Sequence, residues 1–227
     1  MVLNDSQILV LSSLDDLRLG SETLQIEDDS VFYGSQSLTR LQIINAQLPR
    51  IPLINISQTL SSISLNSNPF VSISAGDFVM FPQTKALYLT NCQLTSVPRL
   101  PPLRNSLQTL DLQNNPLLVV PREWLAELPR LKYLSVKNCD LQKVDCPPSE
   151  FTVTSIVLSN NDLTEIPCIA AFADNLYLDN TKISKISLHQ TITLQQLKAT
   201  SQRHFGTGEG GLPHGLGSYL KMDAQQT

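Results

Sequence analysis

Few residues of this chain have the types and spacing that catalysis would need. Gly206, Gly208 and Gly211 satisfy Gly-x-Gly-x-x-Gly, a spacing found in phosphate-binding loops of kinases and dinucleotide enzymes. No βαβ unit is predicted around them, and Pro213 stands where a kinase loop would carry valine. We therefore interpret residues 203–227 as a Gly-rich flexible tail rather than a nucleotide site.

Histidine and cysteine also give little sign of an active centre. His189, His204 and His214 have no metal-ligand spacing with any cysteine, and the nucleophile motif Gly-x-Ser-x-Gly does not occur. The sequence thus predicts a protein that is not an enzyme and needs no cofactor or metal.

The amino-acid composition limits the kinds of partner that this chain can bind. The chain has 227 residues, of which 41% are hydrophobic and 16% charged, with a formal net charge of −4. This excludes a disordered polyelectrolyte and gives no basic footprint for nucleic acid. No apolar run approaches the eighteen or so residues that a membrane span requires, so we expect no membrane insertion by this segment.

The elements that must position any functional side chain recur about every 20 to 24 residues. In the copy that begins at Leu107, apolar residues occupy the first, fourth, sixth and eleventh places, and Asn115 occupies the ninth. The other copies begin at Leu14, Leu38, Leu60, Thr84, Leu131, Val153, Ala173 and Leu194. A β-branched residue follows the eleventh place by three in seven copies, at Ile51, Ile73, Val97, Val120, Val144, Ile166 and Ile186.

In this pattern the chain resembles leucine-rich repeat proteins over residues 14–202. The resemblance implies an α/β fold, an open horseshoe-shaped solenoid with a parallel sheet on its concave side and short helical or extended convex segments. Places four and six are two residues apart, so they face one side of a strand, where stacked copies bury them. We divide the chain into a lead-in (1–13), about nine repeats (14–202) and the tail (203–227).

The ninth place carries the side chain that the turn after the strand needs, because the chain there leaves backbone amides unpaired inside the protein. We expect Asn68, Asn115 and Asn161 to satisfy these amides, and Cys92 and Cys139 to be buried, inert thiols. Ala46 cannot hydrogen-bond through its side chain, so its turn should be weaker or hydrated.

Two further cysteines, Cys146 and Cys168, occupy the sixteenth place of adjacent copies. Neighbouring coils stack about 4.7–5 Å apart, within the reach of a disulfide. In an oxidising compartment we expect a bond between them; otherwise they are two stacked small residues.

The odd-numbered strand places point away from the core and line the concave side. They and their border supply the candidate binding residues, which are Tyr88, Asp111, Tyr133, Lys137, Tyr177 and Asp179. Tyrosine is enriched in interface cores, but it is also a common exposed residue of sheets, and both interpretations stay open. The wide, mixed surface favours a protein or peptide ligand over a small molecule.

The function predicted is non-catalytic protein recognition on the concave face. One alternative is a ligand-sensing segment of a larger, receptor-kinase-like protein; another is an intracellular regulatory or scaffold subunit of an enzyme. The compartment and the oligomeric state stay open, because the sequence shows no secretory signal and could be part of a longer, secreted or receptor protein.

Overall fold

The computed structural model describes residues 2–3, 14–20, 22, 25–26, 37–48, 50–51, 59–70 and 73–183. Most of the predicted lead-in, the ninth copy at Leu194 and the Gly-rich tail lie outside the described residues. No helix in the described part of the chain is long and apolar enough to cross a bilayer.

Eight strands of the described chain form one parallel sheet in which each strand pairs with those of the preceding and following repeats. They are β2 (Asp16–Gly20), β4 (Arg40–Ile44), β5 (Ser62–Ser64), β6 (Ala86–Tyr88), β7 (Thr109–Asp111), β9 (Tyr133–Ser135), β11 (Val153–Val157) and β12 (Ala173–Tyr177). Residues of equal place are direct partners, as in Leu87, Leu110, Leu134 and Ile156. The structure is therefore a leucine-rich repeat solenoid.

The returning segments are short and varied. Two-stranded parallel ladders join β1 (Val2–Leu3) to β3 (Gln25–Ile26) and β8 (Val119–Val120) to β10 (Lys143–Val144). Helix α1 covers Arg122–Ala126, and 3-10 turns cover Ala75–Phe78, Pro101–Leu103 and Cys168–Phe172. This mixture agrees with the predicted short helical or extended convex segments.

The core is the column of side chains between the sheet and these segments. Leu110, Leu134 and Leu158 have no solvent exposure, as predicted for the fourth and sixth places of the repeat. Trp124 of α1 is also buried, and its indole Nε1 donates a 2.7 Å hydrogen bond to the carbonyl of Pro98 in the preceding coil. Tryptophan can be buried here because its one polar group finds an acceptor.

A left-handed residue at the eighth place follows every strand of the eight-stranded sheet from β4 onwards. The φ angles lie between 53° and 59° at Asn45, Ser67, Asn91, Asn114, Asn138, Asn160 and Asn180. Asparagine tolerates this conformation better than other residues with a side chain. The sequence analysis used no rule at this place, although asparagine occupies six of these seven positions.

The ninth-place asparagines join two coils each. Asn115 Oδ1 accepts hydrogen bonds from the amides of Cys92 (2.9 Å) and Leu94 (3.0 Å), which belong to the preceding coil. Its Nδ2 donates to the carbonyls of Leu89 and Leu112, both at 2.8 Å.

Asn161 repeats this arrangement with the amides of Cys139 and Leu141. Asn68 does the same for Ala46 and Leu48. The amides of the Ala46 turn therefore find their acceptor in the next coil, and the weaker or hydrated turn expected at Ala46 stays a prediction.

Cysteine at the ninth place has a simpler role. Cys92 Sγ donates to the carbonyl of Leu65 (3.3 Å) and Cys139 Sγ to that of Leu112 (3.2 Å), again one coil back. Both thiols are buried and free, and burial raises the pKa of each to about 11. A thiol with such a pKa is almost wholly protonated at neutral pH, which makes it unreactive.

The convex side carries one covalent link between coils in the described chain. Cys146 and Cys168 form a disulfide, with their Cα atoms 5.3 Å apart. It joins the segment after β10 to the 3-10 turn Cys168–Phe172. The two sulfur atoms meet because the cysteines occupy the same place in adjacent coils.

Candidate functional site

The sheet register arranges the candidate binding residues in rows across the concave face. The fifth places of successive strands are direct partners, and they run Tyr88, Asp111, Ser135, Val157, Tyr177. Tyr133 lies in the neighbouring row of third places, between Thr109 and Ser155. The three tyrosines belong to three different repeats, and only small or short side chains lie between them.

Asp111 lies at the centre of this arrangement. Its carboxylate accepts hydrogen bonds from the Gln113 amide (3.0 Å), from Gln113 Nε2 (3.1 Å) and from the hydroxyl of Ser135. Partial burial raises the pKa of Asp111, and these three hydrogen bonds oppose the rise. The carboxylate is thus drawn partly out of water without gaining a positive charge.

Tyr133 lies between the strands of Tyr88 and Tyr177 and is influenced by both. Burial first, and then the negative charge of Asp111, raise the pKa of the Tyr133 phenol, and Tyr177 and Tyr88 raise it further. Ser135 hydrogen-bonds to Tyr133 as well as to Asp111 and is only 3% exposed. We call Tyr88, Asp111, Tyr133, Ser135 and Tyr177 the tyrosine cluster.

A trough of about 450 Å³ runs along β11 beside this cluster. Its floor consists of the small side chains Ser155, Val157 and Ser159. Bulkier residues of the two neighbouring coils line it on either side, Tyr133 and Lys137 on one and Tyr177, Asp179 and Asn180 on the other, and Asn160 follows the floor residues in their own coil. The trough exists because one strand carries small residues at its third, fifth and seventh places between two strands that do not.

Hydrogen bonds within the described chain hold the C-terminal side of the trough. Ser159 Oγ donates to Asp179 Oδ2 at 3.0 Å, and Asn180 Nδ2 donates to Asn160 Oδ1 at 3.0 Å. These contacts fix polar groups that face the trough, so its shape does not depend on a ligand.

Of the predicted binding residues, Tyr133, Lys137, Tyr177 and Asp179 all line the trough. Tyr88 and Asp111 do not line it, but they belong to the adjoining tyrosine cluster. The sequence analysis missed the floor residues Ser155 and Ser159, whose signal was small size at two odd-numbered places of one copy.

The other end of the concave face has a different charge. Asp16 Oδ2 lies 3.1 Å from Arg18 and 3.2 Å from Arg40, so two cations share one carboxylate. The hydrogen bond from Arg18 is the main cause that lowers the pKa of Asp16. The face is therefore basic at its N-terminal end and carries Asp111 and Asp179 in its C-terminal half.

The described residues offer no grouping for metal chemistry. No three His, Cys, Asp or Glu side chains among them are placed to hold a metal ion. The concave sheet instead presents a polar trough beside a group of phenol rings.

Comparison with known proteins agrees with the class that this fold defines. A sequence model described as Leucine Rich Repeat matches residues 106–128. The chain thus has the leucine-rich repeat fold, and one of its repeats matches the sequence model of that family. No curated protein matches the sequence significantly.

Two solved structures share the fold. A chain of the Toll–Spatzle complex of Drosophila superposes with a TM-score of 0.71 and 17% identity, covering 86% of this chain and 27% of that one. An internalin of Listeria monocytogenes gives a TM-score of 0.58 and 18% identity, covering 82% of this chain and 53% of that one. At these identities the likeness establishes the fold alone, and our chain spans only about a quarter and about half of the two proteins.

Proposed function

We propose that this protein is a non-catalytic interaction module that binds a protein or peptide partner on its concave strand face. The observation that carries the proposal is the convergence of Tyr88, Tyr133 and Tyr177 on one side of the sheet. Folding does not require large aromatic rings there, because the core lies on the other side. In an interface such rings supply contact area at low cost in side-chain entropy.

The solved neighbours support the same class of function. One of them was determined as a complex between Toll and Spatzle, so this fold occurs in a protein assembly. The trough beside the cluster adds a recess in which a chain segment can lie. Polar groups along its sides offer hydrogen bonds that would fix the register of such a segment.

The test replaces Tyr88, Tyr133 and Tyr177 together by alanine and compares capture of binding proteins by the variant and the wild type. A partner recovered with the wild type should be lost by the variant, while the circular dichroism spectrum and the melting temperature stay nearly unchanged. The matched control replaces Val79, Met80 and Val119, three exposed apolar residues outside the concave sheet, by alanine. Retained binding by the tyrosine variant, or loss by the control alone, would move the site away from the concave face.

The disulfide favours an oxidising compartment over the cytosol as the setting for this function. Bonds such as Cys146–Cys168 persist in oxidising compartments and are rare in the reducing cytosol. We therefore prefer a segment of a secreted or receptor-like protein to an intracellular enzyme subunit. Mass mapping of the protein isolated from its own compartment tests this, and two free thiols would reverse the preference.

A further inference from the structure

Asp111 differs from the carboxylates that form ion pairs in the described part of the chain. The ion pairs found within the described residues use Asp16, Glu127, Asp145 and Asp162, and none uses Asp111. The hydrogen-bond donors to Asp111 are all neutral, an amide, a carboxamide and a hydroxyl. Its negative charge is thus solvated by dipoles alone, in a position where water has been partly removed.

The surroundings of this carboxylate would stabilise a positive charge brought from outside. Tyr88 is the direct sheet partner of Asp111 on one side, and Tyr133 is close enough for the Asp111 charge to affect its pKa. Tyrosine ring faces attract cations, by about 0.5–1 kcal/mol at exposed sites and about 2 kcal/mol or more where water is excluded. A carboxylate and several phenol rings therefore act in the same direction.

A metal ion does not suit this site. Calcium takes six to eight oxygen ligands and magnesium demands an octahedron, but the tyrosine cluster contains a single carboxylate. A planar organic cation suits it better. Guanidinium stacks on aromatic faces and donates two parallel hydrogen bonds to a carboxylate, and arginine is enriched in the centres of interfaces.

We propose that Asp111, Tyr88 and Tyr133 form a pocket for one arginine side chain of a polypeptide partner, with the guanidinium on Asp111 between these two rings and the adjoining main chain in the trough over β11. This deepens the function proposed above and rests on it. The trough adjoins this pocket through Tyr133, which lines the trough and lies on the strand next to Asp111.

The test titrates the protein with short acetylated peptides Gly-Ser-X-Ser-Gly and follows the tyrosine ring signals by NMR. With arginine at X, saturable shifts are expected at Tyr88, Tyr133 and Tyr177. With citrulline, which keeps the shape and loses the charge, binding should be at least about tenfold weaker, as expected for loss of a charged hydrogen bond. Equal shifts from both peptides, or none from the arginine peptide, would overturn the proposal.

The variant Asp111→Asn should abolish the preference for arginine over citrulline, because it is nearly isosteric, keeps an oxygen that can accept from the Gln113 amide and removes the negative charge. Asp140→Asn is the matched control, since it removes one negative charge from an exposed residue of a nearby turn. Its left-handed backbone, with φ at 52°, suits asparagine equally well. An Asp111→Asn protein that still prefers arginine would refute the assignment of the carboxylate.

A captured partner separates failure of this inference from failure of the proposed function. If the triple tyrosine variant loses the partner and Asp111→Asn keeps full affinity, concave binding stands and the arginine pocket is wrong. If the triple variant keeps the partner, the concave face itself is wrong.

Discussion

At the residue scale, the asparagine side chain at the ninth place of the repeat should contribute strongly to stability. Replacing Asn115 by alanine leaves two amides and two carbonyls of neighbouring coils without their partners. Each unmet buried group costs about 1–3 kcal/mol, so we expect a loss of unfolding free energy of about 3 kcal/mol or more. Urea denaturation of Asn115→Ala measures it, with Gln142→Ala at an exposed position as the control. A loss equal to the control's would show that water replaces the asparagine.

The buried thiols give a prediction about pH. Burial raises the folded-state pKa of Cys92 from 9.0 to about 11. As the pH rises, the unfolded chain therefore releases this proton first, and stability that is complete below pH 9 is lost towards pH 11. The difference in unfolding free energy between wild type and Cys92→Ala, measured from pH 8 upwards, should shrink over that range. A difference that does not change with pH would contradict the raised pKa.

Residue identities were predictable from the sequence, but their partners were not. The repeat frame predicted that Asn68, Asn115 and Asn161 would serve the turns. It did not show that each asparagine hydrogen-bonds to the preceding coil, because the repeat pattern in the sequence does not say which coil a side chain contacts. Ala46 shows the difference, since its amide is satisfied by Asn68 Oδ1 at 3.0 Å and not by any atom of its own.

At the scale of elements, the disulfide joins two convex segments that share few regular hydrogen bonds. It closes a loop with a sequence separation of 22 residues. Such a loop corresponds to about 3 kcal/mol of stability in the chain-entropy account. A reducing agent should therefore lower the melting temperature of the wild type and have no effect on Cys146→Ser/Cys168→Ser. Equal melting curves with and without reductant would show that the bond adds no stability.

Strand composition explains both a success and a failure of the sequence analysis. Alternation correctly predicted which side of β7 and β9 is buried, because side chains in a strand point to opposite faces. The trough was missed because it depends on differences in side-chain size between neighbouring strands. Ser155, Val157 and Ser159 form a recess only because Tyr133, Lys137, Tyr177 and Asp179 rise on either side.

At the scale of the whole molecule, the solenoid is a one-dimensional stack in which each coil touches only its neighbours. Leu134 lies in the middle of the described sheet with no solvent exposure. Its replacement by alanine should cost about 2–5 kcal/mol, the usual range for a buried leucine. Because coupling passes from coil to coil, the damage should be local before it is global.

Hydrogen exchange measures this locality directly. In Leu134→Ala, amides of β7, β9 and β11 should exchange faster, and those of β4 and β2, at the far end of the sheet, should change least. Lys132→Ala, at an exposed position of the same coil, is the control and should leave the pattern intact. Uniform acceleration from β4 to β12 would mean that the stack opens as one unit. Binding on the concave face would then protect all of its strands equally, rather than chiefly those that carry the tyrosine cluster and the trough.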